Sequence, residues 1–193
     1  MLRPVTDEHG LLILISGPPG AGKTTIAGTL AQHYGRAVHL HTDDFWRYIV
    51  SGGIAPFQPE AHTQNHVVLD VIAGAAFAYA AGGFATVVDG VVGPWMLHHF
   101  FDRSREHSDV LLHYVVLRPL REVTLGRAQQ RTAPTALVDE IPVLTMWDQF
   151  ADLGELETHV VDTSQQTPDL SSRLILAGID RQRFLLGPST RHS

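Results

Sequence analysis

The chain has 193 residues, 44% of them hydrophobic, which suits one α/β domain with a sizeable buried core. Its 14 Lys+Arg against 20 Asp+Glu leave a net charge of −6. That balance speaks against a general nucleic-acid binder or a protein of acidic membrane surfaces, both of which need a basic face. No cysteine is present, which excludes disulfides, thiolate catalysis and thiolate-bound zinc and accords with a cytoplasmic protein.

The first ten residues read as a loose lead-in without the charged-then-apolar pattern of a signal peptide. The longest apolar stretch, 67–81, is interrupted by Asp70 and falls short of the roughly 18 residues of a membrane span. No membrane partner is expected. The 12 histidines are scattered without a recognised metal-binding spacing and read as surface or locally bonded residues.

Residues 11–16 form a continuous apolar run that predicts a strand covered on both faces. The following segment, GPPGAGKTT at 17–25, matches the phosphate-binding pattern with Gly17, Gly22, Lys23 and Thr24 at its fixed positions. Glycines let several backbone N–H groups converge on one anion. Pro18, Pro19, Gly20, Ala21 and Thr25 complete the cradle, Lys23 supplies a mobile charge for the outer phosphates, and Thr24 offers a hydroxyl to Mg²⁺. A helix is predicted over 23–34, stopped by Gly35.

A second strand is predicted over 37–41, followed by Thr42-Asp43-Asp44-Phe45-Trp46. Ligands collect at the carboxyl ends of parallel strands, so these two acids are placed for chemistry. One of them can accept the proton of an attacking hydroxyl or help hold hydrated Mg²⁺. Asp44 can equally serve as the cap of a helix. A Gly/Pro-rich connection at 51–60 leads into a helix over 61–82 with an apolar stripe of Val67, Val68, Val71, Ile72, Ala75 and Tyr79. Gln64, Asn65 and His66 near its start either face a substrate or are plain exposed polar residues.

A third strand over 84–88 ends in Asp89, which reads as the acid that supports the water shell of Mg²⁺. Trp95 in the next turn lines an acceptor pocket or simply packs. The fourth strand covers 111–117. The helix after it, about 120–130, presents Arg127, with Arg131 four residues on, either as a pair suited to clamping phosphoryl oxygens or as solvated cations of the helix surface. Residues 131–142 read as a lid. One or two helices broken by Pro142 cover 138–150, a fifth strand covers 158–161, and a last helix covers 170–186. A single domain over 1–187 with a disordered tail at 188–193 is expected.

At this point the chain resembles the small P-loop kinases that include chloramphenicol phosphotransferase, gluconate kinase, adenylylsulfate kinase and shikimate kinase, and particularly a bacterial branch labelled phosphotransferase-like or AAA-family-ATPase-like. The residues that carry the resemblance are GPPGAGKTT at 17–25, HTDDFW at 41–46, VVDGVV at 87–92, VVLRP at 115–119, RAQQR at 127–131, FADLGELETHVVDTS at 150–164 and Pro168. It implies a three-layer α/β/α sandwich around a parallel five-stranded sheet of order 2-3-1-4-5. It places the base or metal-contacting acid at Asp43, or at Asp44 if the D-x-D pattern of gluconate and adenylylsulfate kinases is the better guide. Arg127 and Arg131 become lid or pre-lid arginines on the phosphates, and the loop around Thr163 to Pro168 passes beside adenine.

The expected activity is transfer of the γ-phosphate of ATP to a small-molecule hydroxyl with Mg²⁺. Lys23, Asp43, Arg127 and Arg131 carry the chemistry, and Thr24, Asp43 and Asp89 serve the metal. The rival readings are an ATPase or nucleotide-dependent switch acting on a protein partner, and an inactive nucleotide-binding module. No acceptor signature is recognisable in 46–66 or 91–107.

Overall fold

The computed structural model describes residues 9–132 and 136–187. Five parallel strands form one sheet: β1 (Gly10–Ser16), β2 (Ala37–His41), β3 (Ala85–Asp89), β4 (Val110–Leu117) and β5 (Val160–Val161). Their order is β2-β3-β1-β4-β5, as the resemblance implied. Among the described residues, seven α-helices connect or flank them: α1 (Lys23–Ala31), α2 (Thr42–Arg47), α3 (His62–Ala81), α4 (His98–Glu106), α5 (Arg121–Gln129), α6 (Glu140–Asp148) and α7 (Pro168–Asp180).

β1 lies between β3 and β4 and is apolar on both faces because both faces are covered. Its side chains alternate. Leu12 and Leu14 join a core with Ile72, Phe77 and Phe100 of α3 and α4, whereas Ile13 and Ile15 join a core with Ile26, Leu30 and Ile175 of α1 and α7. Ile15 and His41 both lie beside Asp89, and Ser16 beside Val116, so the carboxyl ends of four strands finish at one level.

Several boundaries differ from the sequence reading. α1 ends three residues before Tyr34, which is buried against the α1–α7 layer beyond the helix end. α3 turns its core face one residue further round than expected. It buries Val68, Leu69, Ile72, Ala73, Ala76, Phe77 and Ala80, while Val67 and Val71 are more than half exposed. The small residues on the buried side let the helix lie close to the sheet. Pro142 does not break α6. It occupies the first turn, where no backbone N–H is needed for an intrahelical bond. β5 is cut to two residues by a 3-10 turn at Gly154–His159. α7 starts at Pro168 rather than 170 and stops at Asp180, after which Phe184 folds back against Gly178 and Leu185 bridges to His113 on β4. The expected tail at 188–193 and residues 133–135 of the expected lid lie outside the described residues. Among the described residues, no helix is long and apolar enough to cross a membrane.

Candidate active site

The loop between β1 and α1 needs glycine at two places for reasons of space as well as angle. A Cβ on Gly17 (φ 135°) would lie 2.2 Å from the Leu117 carbonyl oxygen, and one on Gly20 (φ 86°) 2.4 Å from the Thr124 carbonyl oxygen. The loop is thus wedged between the end of β4 and the body of α5. Ala21 N–H donates to the Pro18 carbonyl at 3.2 Å and tightens the turn. Lys23 folds back over it, donating to the carbonyls of Gly17 at 2.9 Å and Pro18 at 3.0 Å. Burial of its ammonium lowers its pKa to about 8, although Asp89 and Asp43 pull upward; Arg131 adds to the lowering. Lys23 therefore feels two acids and an arginine that the chain order holds far apart.

Asp89, at the end of β3, is fully buried. Its Oδ2 accepts from the Thr24 hydroxyl at 2.7 Å. Its Oδ1 is within hydrogen-bond distance of His39 Nε2, at 2.7 Å, and His41 Nδ1, at 3.0 Å. Burial alone would raise its pKa, but the hydrogen bonds from His39, His41 and Thr24 outweigh it and hold the carboxyl well below the usual range. The same bond to Asp89 raises the pKa of His41, against the effect of burial. A carboxylate and a hydroxyl, both hard oxygen donors, converge here, which is the donor set that suits Mg²⁺. Ser16 extends the arrangement. Its hydroxyl donates to the Val92 carbonyl at 2.7 Å and accepts from Val92 N–H at 3.1 Å, while the Tyr114 hydroxyl donates to the same carbonyl at 2.8 Å. The turn after β3 is pinned by β1 and β4.

Asp43 and Asp44 both lie in the first turn of α2, so neither is the residue before the helix; that place belongs to His41. Asp43 is 58% exposed and stands 3.6 Å from His41 Nε2. Asp44 instead accepts from Arg47 at 2.6 Å, one turn along the same helix. Thr42 is buried against Gly90, where a Cβ would meet its hydroxyl oxygen at 2.1 Å, so the turns after β2 and β3 are in contact.

Gln64 and Asn65 are spent on the chain itself. Gln64 bonds both backbone groups of Ile54, at 2.8 and 2.7 Å, and Asn65 donates to the Pro56 carbonyl at 2.8 Å and accepts from Trp46 Nε1 at 2.9 Å. They staple the Gly/Pro-rich connection to α2 and α3. Beside them an apolar groove of about 370 Å³ runs between α2 and α3, walled by Phe45, Tyr48, Val67 and Val71. Trp95 packs its ring against Phe150 and over Gly93, and remains 46% exposed.

Arg127 and Arg131 have different surroundings. Arg127 donates through Nη2 to the carbonyls of Thr163, at 2.9 Å, and Ser164, at 3.2 Å. Thr163 is buried and donates to the Ala21 carbonyl at 3.4 Å, which ties the loop after β5 to the phosphate loop. Leu120 N–H donates to the Ser164 hydroxyl at 2.7 Å from the start of α5. Arg131 is exposed and close enough to Lys23 to lower its pKa. Pro168 opens α7 behind Thr167, whose side chain caps it. Arg118, at the end of β4, forks onto both oxygens of Glu157 at 2.7 and 2.8 Å and donates to the Phe150 carbonyl, joining two segments that carried the family resemblance.

The sequence reading missed His39 and His41. Their spacing of two on a strand places both side chains on one face, which is a usable signal. It shows nothing until β2 is known to lie beside β3.

A model of the AAA domain matches residues 13–146. The chain belongs to this family, among the small P-loop kinases. A probable adenylyl-sulfate kinase of Pyrococcus abyssi (strain GE5 / Orsay) is 26% identical over 171 residues, covering 87% of this chain and 94% of that protein. A gluconokinase structure from Sinorhizobium meliloti 1021 superposes with a TM-score of 0.65 at 18% identity, covering 94% of this chain and 95% of that one. A shikimate kinase from Acinetobacter baumannii in complex with shikimate gives a TM-score of 0.63 at 21% identity, over 90% and 95% of the two chains. At such identities the structural matches establish the fold. Family membership carries nucleotide-dependent phosphotransfer as the general activity.

Proposed function

We propose that the protein is an ATP-dependent kinase that phosphorylates a hydroxyl of a small molecule in the presence of Mg²⁺. The observation that carries this reading is the 2.7 Å bond from Thr24 to Asp89 directly after Lys23, with Asp43 acting on the same lysine. A phosphate cradle, a metal-supporting acid and a second acid are thereby grouped at the carboxyl ends of the strands.

Lys23 and the backbone N–H groups of Gly20 to Thr25 bind the β- and γ-phosphates. Thr24 and Asp89 would hold Mg²⁺, Asp89 through water, and the ion would supply charge neutralisation on the phosphates. Asp43 is preferred over Asp44 as the base, because Asp44 is engaged by Arg47. The acceptor oxygen forms a bond to the γ-phosphorus, the bond from that phosphorus to the β–γ bridging oxygen breaks, and the hydroxyl proton passes to the Asp43 carboxylate. Arg131 faces the developing charge. Arg127 acts indirectly, shaping the loop of Thr163 and Ser164 that would border adenine. The protein is read as cytoplasmic.

A coupled ADP-release screen tests this directly. Purified protein is offered ATP and a panel of antibiotics, sugars, sugar acids and nucleosides, with Lys23→Ala as blank. Acceptor-stimulated ADP release together with a phosphorylated product supports the reading. ATP hydrolysis that no small molecule alters, but a protein partner does, would replace it with a switch.

A further inference from the structure

We propose that His66, His98 and His99 form a binding site for a divalent transition-metal ion of the Zn²⁺ class, separate from the Mg²⁺ expected at the phosphate loop. The three residues come from two elements whose pairing the chain order hides. His62 and His66 lie four apart on one face of α3, and His98 and His99 open α4. Packing of the two helices gathers the four rings. The ring centres of His66 and His99 are 5.0 Å apart, those of His98 and His99 4.1 Å, and those of His62 and His66 4.4 Å.

One ring nitrogen each from His66, His98 and His99 lies within 4.8 Å of the others. His66 Nδ1 and His99 Nε2 are already 2.8 Å apart. Tetrahedral ligation with metal–nitrogen bonds of about 2.0–2.1 Å requires nitrogen separations of roughly 3.3 Å. The His66–His99 pair is tighter than that value and the remaining separations stay within 4.8 Å, so side-chain rotation completes the set.

The surrounding partners have the roles that a metal site requires. Asp70 Oδ1 accepts from His99 Nδ1 at 2.5 Å. That bond places the His99 proton on Nδ1 and leaves the Nε2 lone pair pointing into the cluster, the usual carboxylate–histidine support of a ligand. His99 is buried at 6% exposure and so held in orientation, while His98 is exposed and gives the ion access from solvent. His62 Nε2 lies 3.2 Å from His66 Nε2. When His66 ligates through Nδ1, its proton moves to Nε2 and is accepted by His62. Three neutral imidazoles leave a fourth position for water or an outside ligand. Imidazole favours Zn²⁺, Co²⁺, Ni²⁺ and Cu²⁺ over Mg²⁺, so the two sites do not compete. Without an ion, the same rings form a chain of hydrogen bonds linking α3 to α4, which is the alternative the experiment must exclude.

The test uses the full chain without a histidine tag and without nucleotide, in millimolar Mg²⁺. Zn²⁺ is titrated calorimetrically, and Co²⁺ binding is followed by visible absorption. One ion per chain is expected, with intense Co²⁺ bands of a site of low coordination number and a higher melting temperature in Zn²⁺. His98→Ala, at an exposed position, and His66→Gln should each abolish the Co²⁺ bands. Asp70→Asn should weaken Zn²⁺ binding by about 10- to 100-fold. His39→Gln combined with His41→Gln should leave both signals in place. No saturable binding would overturn the proposal. So would binding unchanged in His98→Ala and His66→Gln, or binding lost only in the His39/His41 double variant, which would assign the ion to Asp89.

Discussion

His39 on β2 is bound through Nε2 to Oδ1 of Asp89 on β3 at 2.7 Å, so the acid under the phosphate loop is held from the strand on its far side. Thr24 takes the other oxygen from the loop side. The carboxylate is therefore kept ionised and fixed before any ligand arrives.

Asp89→Asn replaces one acceptor oxygen by a donor in a fully buried place. At least one of His39, His41 and Thr24 then loses its acceptor, at a cost of about 2 kcal/mol in stability. Phosphoryl transfer should fall roughly a hundredfold or more, because charge stabilisation at the phosphates is lost. Urea melts and steady-state kinetics of the variant measure the two effects. A variant as stable and as active as the parent would remove Asp89 from the site.

Lys23 carries a pKa lowered to about 8 in the ligand-free loop. Phosphates restore the charged form, so ATP binding above about pH 8 should take up a fraction of a proton, and binding at about pH 7 almost none. Calorimetry in two buffers of different ionisation enthalpy detects the uptake. Equal enthalpies in both buffers at the higher pH would contradict it.

Arg127 and Arg131 should separate kinetically. Arg127→Ala releases the carbonyls of Thr163 and Ser164 and should raise KM for ATP about tenfold with kcat little changed. Arg131→Ala should chiefly lower kcat if, as proposed, its charge beside Lys23 acts on the transferring group. Identical effects of the two substitutions would restore the paired clamp expected from their spacing.

His113 is buried in β4 with Nδ1 unpartnered among the described residues, and burial together with nearby His159 lowers its pKa from 6.5 to about 4. The native state resists protonation that the unfolded chain accepts. Stability should therefore decline as pH falls from 6.5 and level off below 4, by on the order of 3 kcal/mol from this group. His113→Leu should flatten that part of the stability–pH curve, as followed by denaturant melts at stepped pH. An unchanged slope would place the acid sensitivity elsewhere.

Much of the donor half was readable from the chain because its signals are local. An apolar run followed by GPPGAGKTT specifies a buried strand, a loop and a helix start within 15 consecutive residues, and the structure has them in that order. Asp89 was readable as a strand-end acid. Helix ends were less legible, since they depend on what covers them. Phe184 closing on Gly178 ends the α7 region, and no pattern within 170–186 announces that contact. The rotated face of α3 has the same origin. Valines at 67 and 71 look like core in a helical wheel, but the sheet takes the smaller alanines and leaves those valines to the groove.

By itself, the sequence determined the phosphate-loop motif, the strand–helix alternation and the acids at the ends of two strands. Resemblance to the family supplied the sheet order, which periodicity could not. Only the tertiary structure decided the partners. It bound His39 and His41 to Asp89, turned Arg127 onto the loop of Thr163, spent Gln64 and Asn65 on Ile54 and Pro56, and gathered His66, His98 and His99 into one cluster. The physical reason is distance along the chain. Backbone propensity and side-chain periodicity act over a few residues, whereas these contacts join residues up to tens of positions apart and exist only once strands and helices have packed.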